Sequence, residues 1–317
     1  MTVAAPATLP GVVAESAAMR ELLPVLLRLA ETRSAVLLEG ESGSGKDLLA
    51  HWLHYGGSRS IGPLIRVHCP SIPEELLESE LFGHERGAFT DAKAAKLGKI
   101  EMARGGTLYF DQVQDLSLAL QGKLLRVVEE RSFERVGGTR TIEVDVRFVS
   151  STNVDLGLAV SAGRFREDLF HRLNVVPVRV PPLRERREDI APLAELFLAR
   201  ERGRGTTSAG GFARETLDAL RGHLWPGNVR ELRSVVERAS LFATGEVVPL
   251  RALPPSILEA PEALWAGRER RPTLRDVEQA YIRFVLDETS GSQTRTASVL
   301  GISRKALWEK RRRFGIP

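Results

Sequence analysis

Apolar positions fall in short runs separated by amphipathic stretches over the first 180 residues. Met19, Leu22, Leu23, Leu26, Leu27 and Leu29 recur at helical spacing, which predicts a helix over 14–30 with a kink at Pro24. Residues 35–39 read as a short buried strand that runs into a glycine loop and a helix starting near Lys46. Further strands are expected at 64–67, 107–110, 144–149 and 174–180, with an amphipathic helix at 116–130. Strands alternating with helices imply a parallel sheet covered on both faces, an α/β fold. After Pro182 the pattern turns helical, at 190–200, 213–220 and 229–243, which suggests a lid packed on the sheet domain. Residues 202–211 read as a mobile Gly/Ser/Thr/Arg loop. Residues 254–272 carry four prolines and read as a linker. The end, 273–317, is short and all-α. The expected division is a linker remnant at 1–11, an α/β subdomain at 12–182, a helical lid at 183–253, the linker, and a small helical domain at 273–317.

Composition changes this picture little. The chain has 317 residues, 43% hydrophobic and 27% charged, as in soluble globular proteins. No apolar run nears the ~18 residues of a membrane span, and MTVAAPATLP lacks the order of a secretory signal. Cys69 stands alone, which excludes an intramolecular disulfide and fits a reducing cytoplasm. Charge is more informative. Of a net +4, residues 303–313 hold six basic side chains against Glu309, so the basicity is a C-terminal patch suited to a polyanion.

Two motifs carry chemistry. Gly40, Glu41, Ser42, Gly43, Ser44, Gly45, Lys46 and Asp47, with Leu48 after them, link a strand to a helix, the setting of a Walker A loop. There backbone N–H groups and the helix N-terminus cradle phosphates while Lys46 neutralises them. Asp47 stands where Ser or Thr is usual, and a carboxylate can hold Mg²⁺ through water. The second motif is LFGHERGAFTDA at 81–92. Gly83 and Gly87 would weaken a helix or strand, so this stretch reads as a tip presenting Phe89; a turn beside a hydrophobic anchor is the plain alternative.

These motifs resemble sigma-54-dependent transcription activators, ring-forming AAA+ ATPases whose GAFTGA loop is matched here except at Asp91. The similarity runs from about Val12 to Pro317. VVAESAAM at 12–19 resembles the family's opening, which implies that Val12 and Val13 pack on adenine. Residues 105–130 look like the Walker B strand and its following helix, and RVGG at 135–138 like a second surface loop beside the tip. By the same resemblance Asn153 is a sensor of the γ-phosphate, and Arg230 in WPGNVREL faces the nucleotide. Arg166 and Arg172 would reach a neighbouring subunit's site, so a monomer should be nearly inactive. Surface ion pairing is the plain alternative for any one arginine. Implied cofactors are ATP and Mg²⁺, the latter held by Asp111 and Asp47. Implied partners are sigma-54 RNA polymerase, touched by Phe89 and Thr90, and further copies of the chain in a ring, usually a hexamer.

Two departures meet at the catalytic water. Gln112 follows Asp111 where the family has glutamate, and a neutral amide can position a water but not take its proton. Loss of a general base costs about 10²–10⁴ in rate. His68 stands where the family has the asparagine that bonds that glutamate. A joint change fits natural divergence better than a laboratory trap, and His68 could replace the base or bond the Gln112 amide; an inert strand end is the alternative.

Residues 294–314, TRTASVLGISRKALWEKRRRF, space Ala297, Gly301 and Leu307 as in a helix-turn-helix. Ser303 suits an N-cap. Arg304, Lys305 and Trp308 would face the major groove of double-stranded enhancer DNA, while Lys310 and Arg311 onward suit phosphates. The segment resembles a Fis-type domain, and helix 273–289, with Val277, Tyr281, Phe284, Val285 and Leu286, is expected to form a dimer interface. The expected function is ATP-driven remodelling of the sigma-54 closed complex. The alternative is a DNA-binding regulator whose ATP site is a switch without turnover. A replication or unfolding machine would need neither Phe89-Thr90 nor a DNA reader. No sensing domain precedes Val12 in this sequence; a removed segment and control in trans both remain open.

Overall fold

Val36, Leu37 and Leu38 are successive side chains, each at most 1% exposed, as only a strand covered on both faces allows. They form β1 (Val36–Glu39), which belongs to a sheet with β2 (Leu64–His68), β3 (Thr107–Asp111), β4 (Arg147–Thr152) and β5 (Val176–Arg179). The computed structural model describes residues 11–90, 92–243, 245–258, 273–289 and 292–316. The expected features at 1–10, Asp91 and most of the linker, 259–272, lie outside the described residues.

Strand order is β2-β3-β4-β1-β5, and every pairing is parallel. Such pairing needs crossover helices. Helices Ala17–Ala30 and Lys46–Tyr55 contribute Leu26, Leu29, Leu49 and Leu53 to the core on one face. Helices Leu118–Glu130 and Glu167–Leu173 contribute Leu120, Leu124 and Leu169 to the core that includes Leu108 and Phe110. All strands thus point their carboxyl ends to one edge, where ligands of open α/β sheets bind.

Some boundaries differ from the sequence pattern for local reasons. β4 begins at Arg147, not at 144, although Val144 and Val146 are buried. The Val144 N–H is committed to the Arg131 carbonyl and the Asp145 carboxylate to Arg59. The helix predicted from 116 starts at Leu118 because Ser117 caps it, accepting from the Leu120 N–H. The first helix starts after the Ser16 cap and runs on past Pro24.

Helices Ile190–Gly203, Arg214–Gly222 and Asn228–Leu241 form the lid around the fully buried Trp225, with Leu193, Leu220, Leu232 and Val236. Asp189, also fully buried, accepts from the Glu15 and Ser16 N–H groups and from the Ser16 hydroxyl. That ties the start of the sheet domain to the lid.

Contacts divide the chain into two compact units, Met1–Glu259 and Ala260–Pro317. The second contains helices Leu274–Glu288, Gln293–Val299 and Arg304–Phe314 around Ile282, Leu286, Ala297, Leu307 and Phe314. Of the residues expected at a dimer interface, Leu286 packs in this unit's core and Val285 is buried. Tyr281 and Phe284 remain exposed, and the Val277 side chain lies outside the described residues. Among the described residues no helix is long and apolar enough to cross a membrane.

Candidate functional site

The sheet's carboxyl edge and the lid enclose a cleft of about 490 Å³ lined by Ser42, Gly43, Gly45, Lys46, Asp47, Leu48, Arg66, His68, Asp111, Gln112, Asn153 and Arg230, with Leu193, Leu196, Phe197, Arg200, Val229 and Arg233. Most candidate residues from the Walker A loop and the strand ends therefore meet here. Gly11 lines it as well. Val12 packs on the core that includes Leu26 and Val36, and Val13 on the lid core; neither is among the residues that line the cleft.

The loop fits a phosphate chain. Gly45 opens helix Lys46–Tyr55 with no side chain capping its first N–H groups, an anion-ready helix end. The Ser44 hydroxyl is buried without a partner. Lys46 is 7% exposed and turns back to donate to the Gly40 and Glu41 carbonyls at 2.6 and 2.8 Å; burial pulls its pKa down. Gly43 has φ +74°, and a Cβ there would lie 2.4 Å from the Gly227 carbonyl oxygen. Only glycine lets the loop approach the lid this closely.

The lid grips this loop through residues that periodicity did not single out. Asn228, fully buried at φ +54°, donates to the Glu41 carboxylate and the Ser42 carbonyl and accepts from the Leu183 N–H. Arg184 forks onto Glu41 at 2.6 and 2.7 Å, holding that carboxyl at about 2, with help from Asn228. Arg230 donates to the Ser42 hydroxyl at 3.0 Å.

The two expected metal carboxylates share one cation from the protein itself. Arg66 donates from a single nitrogen to Asp47 at 2.9 Å and to Asp111 at 2.6 Å. Tyr109 holds the other Asp47 oxygen at 2.8 Å, and Ser151 the other Asp111 oxygen at 2.9 Å. Burial opposes charge on Asp111, but bonds from Arg66, Ser151 and His68 outweigh it, so its pKa is lowered. Two hard carboxylate oxygens converging on one point suit Mg²⁺.

His68 Nδ1 lies 2.8 Å from Asp111, so its partner is not the Gln112 amide. The two are register partners on adjacent strands, whereas Gln112 has left the strand in a left-handed conformation, φ 62° and ψ 60°, where its N–H donates to Ser151. A non-glycine residue held there is strained, as functional residues often are. Asn153 accepts from Gln114 at 2.8 Å.

Arg166 and Arg172 do not reach this cleft. They pair on the surface with Asp168 and Glu129. Phe89 is 42% exposed and sits edge-on to His84, with ring centroids 4.9 Å apart; Thr90 is exposed. The tip is fastened to the second loop: Glu85 donates its N–H to Val136, and Val136 its own to Gly83. Arg135 clasps Glu85 and Glu101.

In the C-terminal unit Ser303 caps helix Arg304–Phe314 by accepting from the Ala306 N–H at 3.1 Å. Arg304, Lys305 and Trp308 are exposed, and Arg312 lies over the Trp308 ring. Lys310 pairs with Glu278 of the unit's first helix, and Arg311 is half-buried.

Known families match along the chain in the same order. Residues 12–179 match the Sigma-54 interaction domain, 184–267 the AAA+ ATPase lid domain, and 273–314 the Bacterial regulatory protein, Fis family. The transcriptional regulatory protein ZraR of Klebsiella oxytoca is 46% identical over 306 residues, spanning 96% of this chain and 69% of that protein. The regulatory protein AtoC of Escherichia coli K12 is 43% identical over 312 residues, spanning 96% and 68%. The crystal structure of NtrX from Brucella abortus in complex with ATP is 37% identical with a TM-score of 0.74, covering 96% of this chain and 69% of that one. The chain belongs to the sigma-54-dependent transcription activators, with a nucleotide-binding AAA+ domain, a helical lid and a Fis-type DNA-binding domain.

Proposed function

We propose that this activator binds ATP with Mg²⁺ in the cleft between sheet and lid, assembles as a ring in the cytoplasm, and uses slow hydrolysis to press Phe89 and Thr90 on sigma-54. The observation that carries this reading is the convergence of Lys46, Asp47, Asp111, Gln112, Asn153 and Arg230 on one cleft. Lys46 and the N-terminus of its helix would neutralise the phosphates. Asp47 and Asp111 would hold Mg²⁺, which lends charge neutralisation at the transferred phosphoryl group. Gln112 orients the attacking water and accepts no proton from it. Arg166 and Arg172, exposed and outside their own cleft, would exchange their surface carboxylates, Asp168 and Glu129, for a neighbour's phosphates, which supports a closed ring, a hexamer by family resemblance. The C-terminal unit would carry Arg304, Lys305 and Trp308 to enhancer DNA.

One observation favours a second reading, a nucleotide-switched regulator without turnover: the residue at the catalytic water is an amide. Conversion of a sigma-54 polymerase closed complex to an open one, with ATP and with a non-hydrolysable analogue, separates the two. Opening with ATP alone is expected. If neither nucleotide opens the promoter while ATP still alters DNA binding, the switch reading stands and the motor reading falls.

A further inference from the structure

We propose that Arg66 is a built-in cation of the nucleotide site, standing where a divalent ion is received, so that metal entry requires its guanidinium to leave. The carboxylates are arranged for this exchange. Asp47 Oδ1 is held by the Tyr109 hydroxyl and Asp111 Oδ1 by the Ser151 hydroxyl, both neutral donors. The remaining oxygen of each, Oδ2, meets the same Arg66 nitrogen, at 2.9 and 2.6 Å. His68 Nδ1 adds a third contact at Asp111 Oδ2. A guanidinium and a hydrated ion cannot share that space, yet either one satisfies two facing carboxylates.

Arg66 has room to move. It projects from β2 with its side chain 43% exposed, and its guanidinium carbon lies 5.9 Å from the centroid of the buried Tyr109 ring. Displaced, it stays within the cleft it lines, so its positive charge remains available to a bound polyphosphate. Three consequences follow. The metal-free site already has one of its two negative charges neutralised, nucleotide binding tolerates loss of Mg²⁺, and metal affinity is lower than the same two carboxylates would otherwise give.

The inference rests on the nucleotide reading of the cleft. The test uses the full chain with Arg66→Ser and Arg66→Lys, and MgCl₂ or MnCl₂ as the metal. Without nucleotide, wild type should melt at the same temperature with and without Mg²⁺. Arg66→Ser should melt lower in chelator and recover with Mg²⁺ alone. Mn²⁺ followed by electron paramagnetic resonance should bind Arg66→Ser about tenfold more tightly than wild type, with Arg66→Lys between. Equal Mn²⁺ affinities in wild type and Arg66→Lys would overturn the proposal even if the serine variant failed to fold. A fluorescent ADP added to the same samples separates the two layers. Binding with an identical Mg²⁺ response in all three proteins defeats the Arg66 proposal alone, and no binding to wild type in either condition defeats it together with the nucleotide reading.

Discussion

Arg147 is 1% exposed and donates to the carbonyls of Leu29, Ala30 and Leu53. These lie at the C-terminal ends of helices Ala17–Ala30 and Lys46–Tyr55, where carbonyls lack intrahelical partners and the helix dipole favours a cation. One side chain thus fastens the helix of the phosphate loop to its neighbour. Arg147→Met should lower unfolding free energy by about 3 kcal/mol, since the Ala30 and Leu53 carbonyls lose their donor at about 1–3 kcal/mol each while Leu29 keeps the Thr32 N–H; urea denaturation measures it, and a change below about 1 kcal/mol would contradict the role. Nothing in the sequence pattern announced this residue, because its partners are remote in the chain. Arg184, Asn228 and Arg66 escaped for the same reason. Asp111, Lys46 and Asp47 were legible because a motif fixes chemistry at a fixed spacing.

At the level of elements, the alternation of apolar runs was enough for the parallel sheet and for the order of helices. It failed at ends, where caps decide: Ser117 and Ser16 set helix starts, and the ion pair of Asp145 with Arg59 ends a buried apolar run before the strand. The first surface loop was suggested by its glycines and the second by resemblance; their fastening through Arg135, Glu85 and Glu101 was not legible. Because Phe89 is half-exposed and contributes to no core cluster, Phe89→Ala should abolish sigma-54 binding while nucleotide affinity and melting temperature stay within error. Parallel loss of nucleotide binding, read by fluorescent ADP titration, would mean that the tip serves the fold and not the contact.

For the whole molecule, charge and topology divide the work. The carboxyl edge of the sheet gathers Lys46, Asp47 and Asp111, the lid closes on it through Asn228 and Arg230, and the C-terminal unit presents Arg304 and Lys305. On the proposed reading the chain would lack only a base at the water, and the arginines that would complete a neighbour's site lie exposed outside its own cleft. His68 bonds Asp111 through Nδ1, and both altered residues line the cleft. The most direct test of this account is the single-turnover rate of phosphate release at ring-forming concentrations, for wild type and for Gln112→Glu. The account predicts slow release by wild type and an increase of about 10²-fold or more in the variant, the usual worth of a restored general base. Equal rates would show that Gln112 does not limit the engine.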